Sequence, residues 1–281
     1  LFEQLVTFFT EPFAYGFMQY AAIASLAGAI VCALLSCWLV LIGWSLMGDA
    51  VSHAVLPGVV LAYVVGMPFA IGAVVFAFLA IWMIGGISSP RIKQDAAIGI
   101  VFTTLFALGL VLISVTPSQT DLGHIVFGNV LGIGTSELVQ ILIIAVVVIA
   151  VLLIKRRDFT AFAFDRRYLD TLGISSKRLS ILLLALMALT TVAALQIVGV
   201  ILVVAMLITP GATARLLTNR FNRMLWIAPI AAVISVIFGI YISFYMDVAT
   251  GPMIVLVQGI LFGCAYAASL LRIRKANTAT V

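Results

Sequence analysis

The sequence predicts an all-α polytopic membrane protein, a bundle of eight or nine transmembrane helices carrying one short cytoplasmic helix. Three observations predict it. Of the 281 residues, 64% are hydrophobic and only 9% are charged, against about a quarter charged in an ordinary soluble domain. All fifteen Lys and Arg residues fall into four clusters, Arg91/Lys93, Lys155 to Arg178, Arg215 to Arg223 and Arg272 to Lys275. Between the clusters lie apolar runs, several of them close to the ~20 residues a helix needs to cross hydrocarbon. Too little polar sequence remains for a separate soluble domain, so residues 1–281 read as a single transmembrane unit.

Basic clusters mark cytoplasmic loops, so consecutive clusters must be joined by an even number of crossings. Residues 1–15 lack the basic start of a secretory signal peptide. They admit a short interfacial helix with Leu5, Phe8 and Phe9 on one side. Residues 17–46 form an apolar run longer than one perpendicular span. Residues 54–66 are too short to cross unless they borrow the turn before them, and residues 68–88 descend to Arg91. Three crossings there put the N-terminal side outside; an interfacial helix would leave that parity open.

The remainder pairs into hairpins. Residues 97–116 and about 133–154 make the first, with 117–132 outside. Residues 179–195 and 197–214 make the second, turning near Gln196. Residues 225–246 and 252–271 make the third, turning at Asp247 to Pro252. Gly99, Gly109, Gly199 and Gly239 lie within or beside the runs, where small residues let membrane helices approach closely. Cys32, Cys37 and Cys264 all sit in apolar runs without a CxxC pair and read as small buried hydrophobes. The net charge of +5 reads as membrane orientation rather than as a surface for nucleic acid or anionic lipid. The outer segments carry no basic residue but hold Asp121, His124, Glu137 and Asp247, which favours an approaching cation.

The chemistry concentrates in Gly48-Asp-Ala-Val-Ser-His-Ala-Val-Leu-Pro-Gly58. Asp49, Ser52 and His53 stand at i, i+3 and i+4, so one helix face would carry a carboxylate, a hydroxyl and an imidazole. Ionisable residues at membrane depth are costly and mark ion or proton paths. Gly48, Pro57 and Gly58 predict a broken helix, common at membrane ion sites. The competing reading makes Asp49 a helix cap with His53 at headgroup level. Carboxylate oxygen with imidazole nitrogen suits Mn²⁺, Fe²⁺ or Zn²⁺ rather than Cu⁺. Two or three ligands from one chain make a weak site, which suits an ion that must leave again, and a two-fold partner could supply a second set.

The segment 155–178 is the longest polar stretch. Asp165 can cap a short helix through Leu172, with Gly173 just past its end. Phe162, Phe164, Leu169 and Leu172 give it an apolar surface, which fits lipid headgroups or a partner's groove equally well. The chain has no GxxxxGK[ST], HExxH or GxSxG pattern. It is therefore expected not to hydrolyse ATP itself and not to be an enzyme.

The stretch Gly48 to Gly58 closely resembles the signature of permease subunits of ABC-type manganese/zinc/iron importers. The resemblance continues at Asp95-Ala-Ala-Ile-Gly-Ile100, Phe127-Gly-Asn-Val-Leu-Gly132, Phe164-Asp165 through Leu172-Gly173, and Gly199-Val-Ile-Leu-Val-Val-Ala-Met-Leu-Ile-Thr-Pro210. It implies a multi-pass permease of a bacterial-type inner membrane, working as a homodimer. Two cytoplasmic ATPase subunits and an extracytoplasmic metal-binding protein complete the implied assembly, with no tightly bound cofactor.

It also implies that Asp49 and His53 contact the transported metal; Ser52 joins them as a candidate by its i+3 place, and Asp121 and His124, on the outer side, are a candidate first contact. By the same resemblance Phe164, Asp165, Leu169, Leu172 and Gly173 belong to a coupling helix seated in the ATPase. Leu169 stands where the family more often has Ala, and Arg166 and Arg167 stand where Pro and Glu are usual. The entry Pro12-Phe13 to Gln19 and the run Gly48 to Gly66 resemble the manganese-type members, with Zn²⁺ or Fe²⁺ as alternative substrates. A different class, a proton-coupled secondary transporter with Asp49 and His53 as a proton relay, would need no ATPase.

Overall fold

A computed structural model of the chain describes residues 11–89, 91–116, 128, 130–199 and 202–278. Every described element is helical. A 3₁₀ turn at Glu11–Ala14 leads into α1 (Gly16–Ile42), followed by α2 (Ser45–Ala54), α3 (Leu56–Val65), α4 (Phe69–Ile87) and α5 (Gln94–Val115). A second 3₁₀ turn, Val130–Gly132, precedes α6 (Thr135–Ile154), α7 (Arg156–Phe164) and α8 (Arg166–Thr171). The chain ends in α9 (Ser176–Val198), α10 (Val203–Leu217), α11 (Phe221–Met246) and α12 (Thr250–Thr278).

Eight segments are long and apolar enough to cross a membrane, with α2 and α3 together forming one of them, Ser45–Val65. The shorter α10 falls below that length and packs against α1 and α9. The aromatic contacts fix their directions. Trp38, near the end of α1, packs on Phe159 of the basic segment, and Trp44, just after α1, packs on Phe162. The basic segment is cytoplasmic, so α1 runs inward and the Glu11–Ala14 turn lies outside. That turn meets the outer end of α11, where Phe13 packs on Tyr241 at 5.7 Å between ring centroids. The three crossings before Arg91 are therefore real, and the parity left open by residues 1–15 is decided. Residues 1–10 themselves lie outside the described part of the chain.

The long run 17–46 does not stay one helix. Gly43, at φ +81°, adopts the left-handed conformation that glycine favours and turns the chain between α1 and α2. The break between α2 and α3 has a local cause too. Pro57 has no N–H to return to the carbonyl four residues back, that of His53, so the helix is interrupted at Val55. The second hairpin turns later than Gln196, because α9 continues to Val198 and stops at Gly199, φ +77°.

Helices α1 and α9 and the α2–α3 segment are the most buried, while α4, α6 and α12 are the least. Close packing rests on small residues. A β-carbon at Gly58 in α3 would fall on the carbonyl of Gly72 in α4, and the reverse holds as well. Gly211 brings α10 so near α1 that a β-carbon there would lie 2.6 Å from the Ser36 carbonyl oxygen. Of the cysteines, Cys32 and Cys37 are buried as expected, whereas Cys264 is exposed on peripheral α12. A thiol facing lipid loses nothing a buried one gains, so an apolar run alone does not decide its side.

Candidate metal site and coupling surface

Asp49 is the fifth residue of α2, so it is not the helix cap; the cap position belongs to Trp44, whose side chain makes no capping bond. Four residues on, His53 places Nε2 3.2 Å from Asp49 Oδ1. The helical rise puts the two residues about 6 and 12 Å from the start of α2, inside the cytoplasmic half of the crossing. The pair lies on the open side of an otherwise buried helix, below Leu46, with 37% of the Asp49 side chain and 13% of that of His53 accessible.

The imidazole is walled by two rings of α5, Phe102 at 4.9 Å and Phe106 at 5.0 Å between centroids. Their i, i+4 spacing puts both on one face of α5. That repeat was present in the sequence, but nothing there said which helix it faced. On the far side of the ring, Nδ1 is buried and has no hydrogen-bond partner among the described residues. Nε2 and Oδ1 thus share one proton position, at the place a divalent cation could occupy between the same two atoms.

Ser52 does not join them. It is fully buried, and its hydroxyl donates to the Asp49 main-chain carbonyl at 2.8 Å. At i+3 it stands on the opposite flank of Asp49 from His53, about 100° around the helix. Asp121 and His124 fall outside the described residues. Among the described residues no group of three or more His, Cys, Asp or Glu side chains converges. Asp49 and His53 are thus the two candidate ligands that one chain brings together.

The cytoplasmic segment forms two helices rather than one, because Asp165 adopts an extended conformation between α7 and α8. Asp165 caps α8 as its spacing predicts, accepting the N–H of Tyr168 at 3.1 Å. Gly173, at φ +76°, ends it, and Ile174 N–H reaches back to the Leu169 carbonyl at 3.1 Å. The four apolar residues divide. Phe162 and Leu169 are buried in the bundle, while Phe164 and Leu172 are exposed, joined by Tyr168. Leu169 thus anchors α8 instead of facing outward. Phe164, at 71% exposure, projects a large ring from the cytoplasmic end of the molecule.

Residues 14–269 match the model of the ABC 3 transport family. The chain is 49% identical over 253 residues to the manganese transport system membrane protein MntB of Synechocystis sp., covering 90% of this chain and 83% of that protein. It is 48% identical over 265 residues to a probable iron transport system membrane protein of Haemophilus influenzae, covering 94% and 98%. Among solved structures, PsaBC from Streptococcus pneumoniae in complex with Fab superposes with a TM-score of 0.87 at 36% identity, over 93% of this chain and 95% of that one. An inward-facing putative metal-chelate type ABC transporter, at 15% identity and a TM-score of 0.66, shares the fold. With the family match running from before α1 into α12, this multi-pass membrane protein belongs to the ABC 3 transport family.

Proposed function

We propose that the chain is the permease subunit of an ATP-driven importer of divalent transition metal, with Mn²⁺ as its principal substrate. The observation that carries this reading is the Asp49–His53 pair on the open face of a broken helix at membrane depth. A carboxylate 37% accessible cannot face hydrocarbon without a large penalty, so protein must cover this side of α2. A second copy of the chain, related by a two-fold axis, would cover it and bring a second Asp49 and His53 to the same path. Four oxygen and nitrogen ligands suit Mn²⁺, with Fe²⁺ and Zn²⁺ as weaker candidates.

The metal comes from an extracytoplasmic binding protein to the basic-free outer side. It trades part of its hydration shell for Asp49 and His53, displacing the proton they share, and leaves inward over a short remaining distance. Asp121 and His124 are proposed as the first contact on the way in. Separate ATPase subunits dock on Phe164, Tyr168 and Leu172, the exposed apolar residues at the cytoplasmic end. Family membership favours this mechanism over a proton-coupled transporter without an ATPase.

Uptake into proteoliposomes holding the chain with its ATPase and binding protein tests the reading. Uptake of Mn²⁺ should need ATP, exceed that of Fe²⁺ and Zn²⁺, and be lost in His53→Ala. Normal uptake by both Asp49→Ala and His53→Ala would overturn the site. Uptake that ignores ATP and follows a proton gradient would overturn the class.

A further inference from the structure

At the cytoplasmic end of α10 the chain turns towards α11, and the last turns of the membrane-crossing part of α12 pass beside that turn. Between them lies a cavity of about 350 Å³. Arg215 of α10 and Arg272 of α12 both line it, together with Thr218, Asn219 and Ser269. No carboxylate lines it, and among the described residues neither arginine has an ion-pair partner.

Arg272 is held in place without being neutralised. Arg272 donates one N–H to the Leu217 carbonyl at 3.2 Å, satisfying an orphan acceptor at the end of α10. Its remaining N–H groups are left for another acceptor. Thr218 Oγ1 accepts the N–H of Arg220 at 3.2 Å, so its hydroxyl proton remains to be donated. Guanidinium does not lose its charge at any accessible pH. Two such groups lining one concavity repel each other until an anion stands between them. Phosphate offers the acceptor geometry that guanidinium matches best.

The position selects the source of that phosphate. Arg272 closes the crossing Thr250–Arg272, which sets the cavity at the level of the cytoplasmic headgroups. Towards the bilayer centre on α12, Phe262, Tyr266 and Leu270 are exposed at successive i+4 positions, as on a helix that meets acyl chains. Basic pockets between membrane helices on the cytoplasmic side are suited to anionic headgroups. We propose that this cavity binds the phosphate of an anionic phospholipid, one per protomer, so that these two arginines serve a ligand as well as membrane orientation. The inference is independent of the metal and of the transport cycle.

Native mass spectrometry of the full chain, released from nanodiscs of phosphatidylcholine with or without phosphatidylglycerol, tests it. The wild type should retain one phosphatidylglycerol per protomer in preference to phosphatidylcholine. Arg215→Gln and Arg272→Gln, which keep hydrogen-bonding capacity but remove charge, should each cut that preference about fivefold, and the double variant should abolish it. Equal retention by the double variant overturns the proposal. Inorganic phosphate that protects the chain against heat in pure phosphatidylcholine discs, with no preference between the lipids, keeps a phosphate site but overturns its lipid source. Substitutions that leave lipid retention intact and instead release the ATPase from the complex make this face a protein interface and also overturn it.

Discussion

The indole of Trp44 and the ring of Phe162 meet edge-on with centroids 5.9 Å apart, joining the start of α2 to the cytoplasmic segment. Trp44 immediately precedes α2, which carries Asp49, and Phe162 lies in α7 two residues before the exposed Phe164. Both rings are buried, and Trp38 and Phe159 make a second edge-on contact nearby. Close-packed aromatic contacts transmit displacement because they do not compress. Movement imposed on Phe164 by a docked partner would therefore reach α2 at its root.

Shaving that contact should uncouple the two ends. Phe162→Leu is expected to leave ATPase docking and Mn²⁺ binding intact while lowering the number of ions moved per ATP hydrolysed, and Phe162→Tyr should restore it. Proteoliposome transport and ATPase assays on the same preparation give the ratio. An unchanged ratio in Phe162→Leu would remove the contact from the coupling route.

Removing either ligand should act on binding rather than on folding. His53→Ala and Asp49→Asn are expected to weaken Mn²⁺ binding by at least about tenfold, with thermal stability in detergent changed by no more than about 1 kcal/mol. Titration followed by electron paramagnetic resonance of free Mn²⁺ measures the first, and a melting curve the second.

Acid should mimic those variants. An imidazole ligates metal only when it is unprotonated at the binding nitrogen, so metal binding is expected to weaken in acid. Equilibrium binding at pH 8 and pH 5.5 would show the difference in the wild type. In His53→Ala the residual binding should be insensitive to the same change.

The contact of α3 with α4 leaves no room for a methyl group. Gly58→Ala would drive a β-carbon into the Gly72 carbonyl, and overpacking of this kind costs about 1–3 kcal/mol. A lowered melting temperature in detergent is the expected outcome, with the partner substitution Gly72→Ala giving a similar loss.

Leu169 and Leu172, three residues apart, should separate cleanly. Leu169→Ala empties a buried position and is expected to cost about 2–5 kcal/mol of stability. Leu172→Ala alters an exposed one and should leave stability unchanged while reducing co-purification of the ATPase. A Leu172→Ala chain that holds its ATPase as firmly as the wild type would exclude this residue from the docking surface.

The amino-acid sequence by itself determined the class, the order of the apolar runs and, after Arg91, their orientation, because hydropathy and basic clusters act segment by segment. It also determined that Asp49 and His53 share a face and that Asp165 and Gly173 bound a short helix, since helical periodicity and capping depend only on neighbours along the chain. Tertiary structure alone decided the rest. Which of Phe162, Phe164, Leu169 and Leu172 turn inward depends on what α1 and α9 offer them, and equal hydrophobicity carries no such label. Ser52 shares the i+3 spacing, yet it is buried with its hydroxyl turned to its own backbone. The aromatic walls of His53 and the paired arginines of the cytoplasmic cavity come from helices far apart in sequence, and only packing brings them together.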